Sequence, residues 1–143
     1  MPTGTVEGIE RSAHKTNEWV EDLARELDGA DEALAWRVLR AYLQVLRDRL
    51  TIDEAAQLAA QLPHLLRGVF YEGFDPGHQP EKLRDRDAFL ARLADRANLS
   101  DTSQAAVAAA AATRVLRRHV SPGEIDDVLA QLPKEICDVL EGT

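Results

Sequence analysis

The sequence predicts an all-α fold: one compact bundle of about eight helices, from two tandem four-helix repeats offset by 70 residues. Three observations carry this. Sliding the chain by 70 residues lays "LRDRLTIDEAAQLAAQLP" (46–63) over "LRRHVSPGEIDDVLAQLP" (116–133) without a gap, and the register extends over 18–73 and 88–143 with 14 identities in 56 positions. Apolar residues recur three and four apart between residues that start and stop helices. No stretch alternates apolar and polar residues as a half-buried strand would. A cap, a turn and a proline shared in one register read as a duplication, and two units are too few for an open solenoid. They are therefore expected to pack on each other about a pseudo-two-fold axis, as one domain over 1–143. Repeat 1 covers about 6–73, an exposed connection about 74–86 and repeat 2 about 87–143.

Ile9, Ala13, Thr16, Val20, Leu23 and Leu27 form one helical face, which predicts a first helix from about 6 to 28, stopped by Gly29. Asp31 is placed to cap a second helix, to about 49. Its apolar residues form two stripes, Leu34-Val38-Ala41-Val45 and Trp36-Leu39-Leu43-Leu46-Leu50, so it should be nearly surrounded. Thr51 and Glu54 have capping-box spacing, in which each side chain bonds the other's free backbone N–H, and Ser121 and Glu124 repeat it with Pro122 at the first helical position. Pro63 and Pro133 cannot donate to a preceding turn, so each "QLP" should end one short helix and start another, about 64–72 and 133–141. Repeat 2 opens with a helix near Asp87 carrying Phe89, Leu90 and Leu93 inward, then a long helix from Asp101 to about His119. Its "AAVAAAAAT" (105–113) combines the best helix former with a small side chain, which predicts a tight helix crossing.

Composition sets further bounds. Of 143 residues, 45% are hydrophobic and 29% charged, ordinary for a globular domain. A net charge of −8 disfavours a nucleic-acid surface, which needs basic patches. Cys137 is the single cysteine, the start "MPTGTVEGIERSAHK" is polar, and nothing approaches a membrane span. A cytoplasmic protein without a disulfide or a membrane segment is the expectation.

"TNEWVEDLA" (16–24), "LRDRLTIDEAAQLAAQLPHLLRGVFYEGF" (46–74) and "DAFLARLA" (87–94) together resemble the bacterial domain-of-unknown-function family 2267. The resemblance spans nearly the whole chain, and the segment from the proline to "YEGF" is its most specific part. Members typically carry tryptophan where this chain has Phe74. The resemblance implies a small helical bacterial protein with no assigned activity.

Candidate chemistry centres on residues after Pro63. His64, Arg67 and Tyr71 share one helical face, with Glu72 adjoining, near a helix N-terminus whose free N–H groups attract anions. They could form an anion or partner site, or be the solvent face of a helix whose other side is core. Tyr71-Glu72-Gly73-Phe74 lies over Glu141-Gly142-Thr143, so Tyr71 and Phe74 have no aromatic counterparts. They are read as an anchor for the connection or as a contact surface of the kind enriched in hot spots. Arg37, Arg40, Gln44 and Arg47 line up on the polar side of the second helix, as a small cationic strip or, with Asp48 and Glu32 close by, as an exposed face laced with ion pairs. Glu10 and His14, followed by Glu18 and Glu21, lack the Glu-x-x-His spacing of bundle metal sites, so no metal or other cofactor is assigned. His78 falls in the connection and His119 at a basic helix end, where solvation or dipole complementarity suffices. No nucleophile elbow, phosphate loop or paired cysteines occur, and no base can be named beside Cys137. The leading expectation is a non-enzymatic protein-interaction module with an unidentified protein partner and room for a homodimer. The alternatives are a binder of a small apolar or anionic ligand between the repeats and, after it, an enzyme across their interface.

Overall fold

The computed structural model describes residues 6–81 and 85–143; residues 1–5 of the polar start and 82–84 of the connection lie outside it. Eight α-helices follow one another, with no strand among the described residues: α1 Glu7–Glu26, α2 Glu32–Arg47, α3 Ile52–Ala59, α4 His64–Tyr71, α5 Arg86–Ala97, α6 Thr102–His119, α7 Pro122–Ala130 and α8 Lys134–Glu141. A 3₁₀ turn, Pro76–His78, lies between α4 and α5.

The helix boundaries follow from local chemistry. Asp31 accepts from Leu34 N at 2.7 Å and Asp101 from Gln104 N at 2.9 Å, so equivalent caps start α2 and α6. Gly29 sits at φ +76, and its N–H donates to Ala24 O at 2.9 Å, closing the end of α1 in the left-handed turn that glycine adopts freely. Pro63 and Pro133 are extended, with ψ 148 and 150, and each stands directly before a new helix. Moved by seventy residues, α6, α7 and α8 begin where α2, α3 and α4 begin.

Packing interleaves the two halves. α1 lies against α2 and α6, α5 lies against α6 and α2, and α3 meets α7. Each half's first helix therefore covers the other half's second. At the centre α2 and α6 touch, and Leu39, Tyr42, Leu43 and Leu46 of α2 and Ala105, Ala109, Ala111 and Ala112 of α6 are closed off from solvent. The small side chains leave room for Tyr42. Thr113 gives its hydroxyl proton to Ala109 O at 2.8 Å, so Tyr42 donates to Thr113 Oγ1, 2.9 Å away. A polar atom in the middle of the core is thereby satisfied.

Three local expectations need correction. The α1 stripe is buried only from Thr16 onward; Ile9 is exposed, because the first turns of α1 overhang the bundle. The strip of Arg37, Arg40, Gln44 and Arg47 is not all solvent-facing, since Gln44 and Arg47 are buried. The capping boxes are half formed: Thr51 and Ser121 do accept from Glu54 N and Glu124 N, but their own N–H groups bond elsewhere.

Candidate functional site

The five residues singled out after Pro63 do not converge on one site. Arg67 turns back to the end of α3, donating to Ala59 O at 2.9 Å and Ala60 O at 3.2 Å. It supplies donors to carbonyls that a helix end leaves open. Cys137, seventy residues later, does the same more weakly, with Sγ 3.3 Å from Leu129 O. Burial first, then the charges of Glu141 and Asp138, push its thiol up, which makes it a poor nucleophile.

Tyr71, Glu72 and Phe74 belong to a second arrangement, built over α2. Arg47 reaches under the segment after α4 and donates to Phe70 O at 2.8 Å and Glu72 O at 2.6 Å, while its Nε holds Asp48 Oδ1 at 2.9 Å. Phe74 lies over its guanidinium, 5.6 Å to the ring centroid, and stacks edge-on to Tyr71, which meets Phe70 the same way. The Glu72 carboxylate binds Arg40 at 2.8 Å and takes a longer contact from Gln44. These aromatics are engaged within the chain, holding the start of the connection down. The next residues are tethered too: Gln79 donates to Arg47 O and Leu50 O, and Glu81 bridges Arg49 and Arg92.

His64 points elsewhere. It lines a cavity of about 420 Å³ with Arg11, Ser12, Lys15, Glu18, Trp19, Gln61 and His119. His119 stacks on Trp19 with centroids 4.6 Å apart, and its Nε2 lies 3.2 Å from Asp22 Oδ2. Sequence spacing had no means of bringing residues 64 and 119 together.

A groove of about 560 Å³ opens between the halves at the other end of α2 and α6. Leu27, Leu34 and Val38 form one wall, and Leu99, Val107 and Ala108 the other. Val107 is 63% exposed at its edge, and Arg37, Asn98, Ser100, Ser103 and Gln104 supply polar groups around an otherwise apolar lining. Positions seventy residues apart in the lining carry unequal side chains, Leu34 and Gln104, Val38 and Ala108.

Where α3 meets α7, the two halves exchange caps. Gln131 Oε1 accepts from Thr51 N at 2.9 Å, and Gln61 Oε1 accepts from Ser121 N at 2.7 Å. Gln61 Nε2 also donates to Ser121 Oγ at 3.0 Å. With those N–H groups taken, Glu54 and Glu124 are released from the local box and turn toward each other. Burial, then the facing Glu54 and finally Asp127, push the Glu124 carboxyl up to about 8. Glu54, Glu124 and Asp127 form an oxygen donor set that could hold a metal ion. By contrast His14 and Glu18, considered on α1, are exposed and 3.9 Å apart.

Residues 16–139 match the model of a family described as "Uncharacterized conserved protein (DUF2267)". No curated protein matches the chain.

Proposed function

The chain belongs to the DUF2267 family, and from the surface its helices build we propose that it is a non-enzymatic protein-interaction module. In this reading its two four-helix units are related by a pseudo-two-fold axis, and the groove between α2 and α6 takes apolar side chains of a partner segment. One observation carries it: an open apolar groove lined by both halves, with Val107 exposed at its edge. Surface valine, leucine and alanine gathered in one concavity mark contact sites rather than scattered exposure. The one charged residue of the lining is Arg37, so the groove suits a partner that sets a carboxylate or carbonyl oxygen beside its apolar residues. The contact thus moves away from Tyr71 and Phe74, which are occupied within the chain. A cytoplasmic setting, with Cys137 as a free thiol, belongs to the same reading.

The test is Val107→Glu, which adds charge at an exposed position and leaves the melting temperature unchanged. Stoichiometric capture of one partner by the wild type, lost in V107E, supports the reading. The same partner bound equally by V107E would sink it.

A second reading has its own observation. The cavity at His64 collects Arg11, Lys15, His64 and His119 beside the indole of Trp19 against one lining carboxylate, Glu18, and although Arg11 pairs with Glu7 and His119 with Asp22, the excess of basic groups suits a small anion. Trp19 fluorescence titrated with inorganic phosphate decides it: a saturable change that K15E and H64A abolish supports an anion site, and a flat response excludes one for phosphate.

A further inference from the structure

Glu54 and Glu124 occupy the same place in the two halves, the third residue of α3 and of α7, and those helices pack together. Both are more than nine-tenths buried, at 7% and 6% exposure. Each has its Oε2 closed off from solvent with no hydrogen-bond partner. Asp127, one turn beyond Glu124 and exposed, brings a third carboxylate, and an oxygen from each of the three lies within 4.8 Å of the others. The Thr51 hydroxyl and the Gln131 amide stand beside them, with Gln131 Nε2 3.5 Å from Glu54 Oε1. Among the described residues, no Lys, Arg or His forms an ion pair with any of the three.

Buried carboxylates without a positive partner are strongly unfavourable, so a proton or a metal ion must offset them. A shared proton would serve Glu54 and Glu124 and leave Asp127 with no part. A cation uses all three: two buried oxygens hold it from inside, and the exposed aspartate leaves an entry path and room for water. Oxygen ligands at about 2.3–2.6 Å from a calcium-sized ion can stand roughly 5 Å apart across it, and the observed spread fits that span. An all-carboxylate set, with no thiolate or imidazole, is of the kind that suits hard cations such as calcium, magnesium and manganese. We propose that Glu54, Glu124 and Asp127 bind one divalent hard cation of the calcium class, tying α3 to α7 and so one half of the bundle to the other. This does not depend on the groove reading.

The experiment uses the full chain, stripped with EDTA and dialysed, with calcium and manganese chlorides as probes. Calorimetry is expected to give one Ca²⁺ per chain with a Kd of roughly 10⁻⁵–10⁻³ M, and the melting temperature should rise with Ca²⁺. The electron paramagnetic resonance signal of free Mn²⁺ should fall on mixing and return with excess Ca²⁺. Glu124→Gln should weaken binding at least tenfold. Asp127→Asn, at an exposed position that does not carry the fold, should weaken it several-fold and keeps the test meaningful if E124Q misfolds. No uptake of either ion at millimolar concentration would overturn the proposal, as would unchanged binding by D127N. Carboxyl-carbon NMR showing the Glu54–Glu124 pair still holding its proton in saturating Ca²⁺ would also overturn it.

Discussion

Arg47→Ala and Arg117→Ala change the same residue at positions seventy apart, and the structure predicts very different costs. Arg47 is 1% exposed and donates to Asp48 and to the carbonyls of Phe70 and Glu72, with Phe74 over its plane. Alanine here leaves Asp48, itself 6% exposed, with only the longer contact to Arg96 at 3.6 Å, and strips two carbonyls of their donor. Removing one member of a buried ion pair costs about 3–5 kcal/mol, because the remaining charge stays buried. Arg117 is 42% exposed and meets a half-exposed Glu141 at 3.7 Å, a contact worth under about 1 kcal/mol. Urea unfolding followed by circular dichroism separates the two. With a slope of about 1–3 kcal/mol/M, R47A should lower the midpoint by roughly 1–5 M while R117A barely moves it. Equal losses in both variants, or a loss under about 1 kcal/mol in R47A, would refute the account of the segment after α4 as an anchor.

Further outcomes follow from the same geometry. Gln61→Ala and Gln131→Ala each remove a cap supplied across the α3–α7 contact, and each should cost about 1 kcal/mol in urea unfolding; no loss in either would show that the crossed caps are inert. Arg114, with Arg118, holds the Glu26 carboxyl below its usual range. Because the folded value is the lower one, this contribution is present above the unfolded value and is lost as pH falls through the folded value. Stability measured from pH 6 down to pH 3 should therefore decline less steeply in Glu26→Gln than in the wild type; parallel profiles would exclude the linkage.

Much of the helix plan was legible in the chain. Asp31, Asp101, Gly29 and the two prolines act within a few residues of themselves, so the boundaries they set can be read without knowing the fold. The alanine run of α6 likewise announced a close crossing. The functional surfaces were not legible, and for a common reason. Arg47 and Gln44 lie on a polar arc that looks solvent-facing until the segment through Phe74 folds over it. Glu54 and Glu124 have the spacing of a local cap. They face each other only because Gln61 and Gln131, from opposite halves, take the N–H groups that those glutamates would otherwise bond. His64 and His119 meet through the α1–α4 and α1–α6 packing, which no spacing encodes. One signal was available for the glutamates: each precedes an apolar residue by four positions, Leu58 and Val128, which puts it on the buried face.

The two halves are interdependent, each completing the other's core through the α1–α6, α2–α5 and α3–α7 contacts. Producing residues 1–77 and 78–143 as separate chains, divided at the exposed 3₁₀ turn, tests it most directly. Each fragment alone should lack cooperative unfolding, and mixing should yield a one-to-one helical complex that unfolds in a single transition. Fragments that fold cooperatively by themselves and ignore each other in solution would contradict it.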